Sequence, residues 1–86
     1  MPDAPLEFPC DYPVKVMGRR SPEFRAAVLA VLAAPGGPAP ELRIEERPSR
    51  DGTYVALTCT LRIESRAELD LVYRRLHATG LVLYAL

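Results

Sequence analysis

Apolar and polar residues recur along this chain with two different periods, and the changes of period mark six elements. Over 12–17, Tyr-Pro-Val-Lys-Val-Met, Val14 and Val16 fall on one side and Lys15 and Met17 on the other, the two-residue period of a strand. Gly18 ends it. Ser21-Pro22-Glu23 supplies a capping hydroxyl, a proline at the first helical position and an acid in the first turn, which starts a helix. Phe24, Ala27, Val28, Val31 and Leu32 form one apolar stripe of that helix, which is predicted to run to about Ala34. The run Pro-Gly-Gly-Pro-Ala-Pro over 35–40 stops it and is a low-complexity linker. Over 41–47, Leu42 and Ile44 alternate with Arg43 and Glu45 in a half-buried strand, and Pro48-Ser49-Arg50-Asp51-Gly52 is a turn. The longest strand spans 53–63, with Val55, Leu57, Cys59, Leu61 and Ile63 pointing one way and Tyr54, Ala56, Thr58, Thr60 and Arg62 the other. Ser65-Arg66-Ala67-Glu68 reads as a capping box opening a second helix, with Leu69, Val72, Tyr73 and Leu76 on its stripe and Gly80 at its C-terminal cap. Residues 81–86 make a final strand with no charge.

The order is therefore β-α-β-β-α-β. Two right-handed β-α-β units sharing one antiparallel sheet predict an α+β, ferredoxin-like split sandwich, strand order 4-1-3-2, with both helices on one face. The first and third strands are then central, and the last strand is an edge. Four of the nine prolines lie in the first thirteen residues, so 1–11 reads as an extended arm on a single 12–86 domain.

With that order in place, several local words become recognisable. Leu6-Glu7-Phe8-Pro9, Lys15-Val16-Met17-Gly18, Pro22-Glu23, Pro48-Ser49 with Gly52 and Tyr54, and Tyr73 with Leu76 resemble the YbeD-like family of small bacterial proteins, over about 6–86. The 35–40 linker and the Arg19-Arg20 pair depart from that pattern. The resemblance implies a fold like that of the regulatory ACT modules, which sense small molecules such as amino acids. It brings no catalytic or ligand residue with it.

Composition narrows the function by exclusion. Eleven basic residues balance eleven acidic ones, which disfavours a nucleic-acid or membrane-surface binder. Ala26 to Ala34 is the longest uncharged apolar stretch, far short of the ~20 residues of a membrane span. The prolines and early acids also argue against a secretory signal, so a cytoplasmic protein with reduced cysteines is expected. One His and two Cys leave no ligand set for a metal, no cofactor is implied, and no nucleophile–base pair can be written, so a non-enzyme is expected.

Two candidate sites remain. Gly18, Arg19, Arg20 and Ser21 place two guanidinium groups and a hydroxyl at a helix N-terminus, where free N–H groups and the dipole favour a small anionic metabolite. ACT-like modules take ligands in the corresponding loop; the plain alternative is a solvated loop with a capping serine. Leu81, Val82, Leu83, Tyr84 and Leu86 belong to a strand apolar at both parities, where a one-sided antiparallel strand should alternate. Either the Leu6–Phe8 arm covers its second face, or a protein partner or second copy does. The open sheet face, with Lys15, Met17, Arg43, Tyr54, Thr58, Thr60 and Arg62 beside Glu45, lacks the stacking aromatics of an RNA-recognition surface. The expected function is a regulatory or adaptor module that binds a metabolite or a protein; a pure interaction module and, last, an RNA binder are the alternatives.

Overall fold

In a computed structural model, which describes residues 7–33 and 43–86, the chain forms β1 (Cys10–Arg19), α1 (Pro22–Leu32), β2 (Arg43–Pro48), β3 (Tyr54–Ile63), α2 (Arg66–Ala78) and β4 (Val82–Ala85). The strands make one antiparallel sheet in the order β2-β3-β1-β4, the expected order read from the other edge. The linker at 35–40, the start of the expected second strand and Leu6 lie outside the described residues.

Alternation decides the two faces. Val14, Val16, Val55, Leu57, Cys59, Leu61 and Ile63 are buried beneath the helices, where they meet Phe24, Val28 and Leu32 of α1 and Leu69, Val72 and Leu76 of α2. The edge strands add less: Ile44 from β2, and Val82 and Ala85 from β4, are only partly buried against this core. Register ties β1 to β3 over its whole length, from Cys10 opposite Ile63 to Arg19 opposite Tyr54.

β1 is longer than its hydrophobic pattern. It takes in Cys10 and Asp11, the last two residues of the expected arm, because β3 extends to Ile63 and offers them partners. Proline at 13 is tolerated within this strand opposite Thr60. The helix starts are as anticipated: Ser21 Oγ accepts from the Phe24 N–H at 3.0 Å, and Ser65 Oγ from the Glu68 N–H at 3.2 Å. The box at α2 differs in one partner, since the Glu68 carboxylate accepts from the Glu64 amide, one residue ahead of the cap. α1 ends at Leu32, with Ala33 as its C-cap, and Gly80 takes the positive φ of +76° just beyond α2.

Candidate functional site

The β1–α1 connection separates the four residues that the sequence groups together. Gly18 is buried in β1: a Cβ there would meet Phe24 Cδ1 at 2.6 Å and the Leu81 carbonyl oxygen at 2.7 Å, so its role is close packing. Arg19 is the last residue of β1, opposite Tyr54 and on the open sheet face by the alternation of the strand. Arg20 and Ser21 alone reach a cleft of about 370 Å³ between the start of α1 and the β2–β3 side of the sheet. Arg20 is fixed by its backbone N–H, which donates to the Thr53 carbonyl at 2.9 Å. The Ser21 hydroxyl oxygen is occupied by the cap.

A third cleft residue, Arg25, escapes the reading of the loop as a linear word. It lies one helical turn beyond Ser21, a spacing that places both on one side of α1. Its guanidinium donates to Glu46 Oε1 at 2.7 Å, a half-exposed ion pair bridging α1 and β2. The cleft therefore already holds the carboxylate its second cation would otherwise recruit.

The open face is a set of cross-strand rows. Arg47, Ala56, Met17 and Tyr84 form one, and Glu45, Thr58 and Lys15 another, the latter continued by Leu86. Charges of both signs alternate with small residues, and the only exposed aromatics among the described residues, Tyr54 on β3 and Tyr84 on β4, stand two strands apart in neighbouring rows and form no shared platform on β1 and β3. Tyr12 of β1 turns inward and is partly buried against the core.

β4 is where apolar surface collects. Leu81, Leu83, Tyr84 and Leu86 are 41%, 58%, 44% and 66% exposed, and with Tyr54 they are the large apolar side chains left open among the described residues. Pairing with β1 sets Val16 opposite Ala85 and Met17 opposite Tyr84, then slips so that Gly18 faces Val82. Leu83 is thus the extra residue of a β-bulge. The slip resolves the puzzle of a strand apolar at both parities: Val82 and Ala85 both turn toward the core, and Tyr84 and Leu86 both turn outward. Of the expected interface residues, Leu81, Leu83, Tyr84 and Leu86 are exposed, and Val82 is half-buried. Phe8, the described apolar residue of the arm, packs against the core and leaves these side chains open.

The titratable groups fit a structural reading. Cys10 and Cys59 are free; burial pushes the Cys59 thiol up to about 11. Burial, reinforced by a hydrogen bond with Tyr12, raises Tyr73. Among the described residues no three His, Cys, Asp or Glu side chains are placed to hold a metal ion, and no helix is long and apolar enough to cross a membrane.

An antiparallel sheet of this order under two helices, with an apolar edge and a small basic cleft, defines a ferredoxin-like α+β module. The solution structure of protein HP0495 from H. pylori is similar in fold, with a TM-score of 0.70 at 13% identity, over 100% of this chain and 94% of that one. The chain belongs to the family described as protein of unknown function DUF493, which matches residues 3–86 and which is the YbeD-like group its sequence resembles. A UPF0250 protein of Paraburkholderia phytofirmans is 44% identical over 71 residues, 83% of this chain and 80% of its own length. The UPF0250 protein NE1487 of Nitrosomonas europaea is 39% identical over 72 residues, 84% of this chain and 83% of its own.

Proposed function

We propose that the protein is a non-catalytic interaction module, regulatory or adaptor in role, that docks by strand addition along the free edge of β4. One observation supports this above the others: a charge-free edge strand and the residues flanking it bear exposed leucines and a tyrosine, the usual composition of an interface core rather than of a solvated edge. A metabolite site in the Arg20 cleft has weaker support. Ser21 is spent on the helix cap and Arg25 on Glu46, leaving Arg20 as the cleft guanidinium without a carboxylate partner among the described residues.

The test is a photo-reactive amino acid in place of Leu83 on the β4 edge and, as control, in place of Arg47 on the β2 edge. Irradiation in living cells is expected to give a covalent adduct with another polypeptide from position 83 and none from position 47. Adducts from neither position, or equally from both, remove the reading of β4 as a docking edge.

A further inference from the structure

The two edges of the sheet are built differently. β2 presents Arg43, Glu45, Glu46 and Arg47 and ends in Pro48, the charges and proline that keep an edge from pairing. β4 has neither. It is short and bulged, which also blunts edges, but shape does not account for leucine and tyrosine at its exposed positions.

Backbone bookkeeping shows what the free edge offers. Leu86 exchanges both hydrogen bonds with Lys15, at 2.8 and 3.0 Å, so alternation turns the N–H and C=O of Ala85 away from β1. Leu83, the extra residue of the bulge, has no β1 partner. Ala85, and Leu83 two residues before it, are therefore the positions β4 offers to a further strand.

We infer that β4 receives β4 of a second copy, antiparallel about a two-fold axis at Tyr84, joining two four-stranded sheets into one of eight. This rests on the reading of β4 as a docking edge and names its occupant. In this register Leu83 faces the partner's Ala85, and Ala85 faces the partner's Leu83, so the free groups on both strands are used. A large side chain meets a small one at each of these two positions. Tyr84 meets the partner's Tyr84 at a non-hydrogen-bonded site, where Cα atoms approach to about 4.5 Å and an aromatic pair adds to the contact. A strand without charge meets its own copy without repulsion, whereas two copies of β2 paired antiparallel about Glu45 would set Glu45 against Glu45 and Arg43 against Arg47.

The experiment measures mass by sedimentation equilibrium over a wide dilution series for the wild type, Ala85→Pro and Leu83→Lys. Ala85→Pro removes the N–H that faces the open edge and leaves the bonds to β1 in place. The wild type is expected to pass from two chains to one on dilution, and both variants to stay at one chain. Leu83→Lys keeps the backbone intact, so the result does not depend on the proline variant folding. A Tyr84→Cys variant in a Cys10→Ser background is expected to form a disulfide-linked dimer on mild oxidation, because Cα atoms at that spacing lie within disulfide reach; Arg47→Cys is not. A wild type monomeric throughout with no Tyr84→Cys dimer overturns the inference, as does a dimer that survives Leu83→Lys. If the position-83 adduct then contains a different polypeptide, the docking edge stands and only the second copy falls.

Discussion

Gly18 shows how one residue type can be read correctly as a signal and misread as to cause. The sequence marks it as the end of a strand and the start of an anion loop. In the fold it lies within the strand, buried, because the Phe24 ring and the Leu81 carbonyl fill the space where a Cβ would stand. Backbone and a wedged aromatic cannot both yield to a methyl group. Gly18→Ala is therefore expected to cost about 1–3 kcal/mol, the range of overpacked core substitutions, as a lowered midpoint of urea denaturation with unchanged slope. A change within a few tenths of a kcal/mol is inconsistent with this packing. Arg25 is the converse case. Nothing in the loop word points to it, but helical spacing from Ser21 places it on the same cleft.

At the scale of elements, most of the architecture is legible because strand parity and helix caps are local. Val14 and Val16, the five inward residues of β3 and both serine caps are found where their patterns put them. The exceptions are set by partners that no local pattern contains. β1 starts early because β3 is long enough to pair with Cys10 and Asp11, against the prolines that suggest an arm. β4 hides its faces because a bulge reverses its parity midway. The turn before β3 is again local: Asp51 accepts from the Thr53 N–H at 3.0 Å and from the Ser49 hydroxyl at 2.9 Å, and Gly52 takes a φ of +79°. These hydrogen bonds, that from the Thr53 backbone first, hold the Asp51 carboxyl below its ordinary 3.8. Their contribution is present above that value and is lost as pH falls through the lower folded-state value. Asp51→Asn is expected to reduce the acid-side slope of stability against pH, followed by thermal unfolding below pH 4; an unaltered slope counts against these bonds.

For the whole molecule, β1, β3 and the two helices supply the fully buried core, while the edge strands contribute partly buried residues. Cys59, with no exposed surface at the centre of that core, makes it sensitive to alkali. Its thiol ionises near the ordinary 9.0 when unfolded and near 11 when folded, so stability is level below pH 9 and falls between about 9 and 11. Two such units correspond to a loss on the order of 2–3 kcal/mol. Cys59→Ala is expected to start less stable but to lack the fall near pH 9, leaving a later one above about pH 10, where the Tyr73 phenol ionises in the unfolded chain but is held neutral in the fold. A wild-type curve flat to pH 11 contradicts the burial of this thiol. Neither edge is decided by the core, which is why the sequence shows the fold more readily than the surface that would use it.

The sheet order has a further consequence during synthesis. β1 is made first and its outer neighbour, β4, last, so the pair that completes the sheet joins segments separated by nearly the whole fold. The outer side of β1 is therefore shielded by a segment made after both helices and the central hairpin. Until β4 docks, Val16 and Met17 border an open edge of the kind that strands of other chains can enter, so the arrival of β4 sets how long that edge is vulnerable to aggregation.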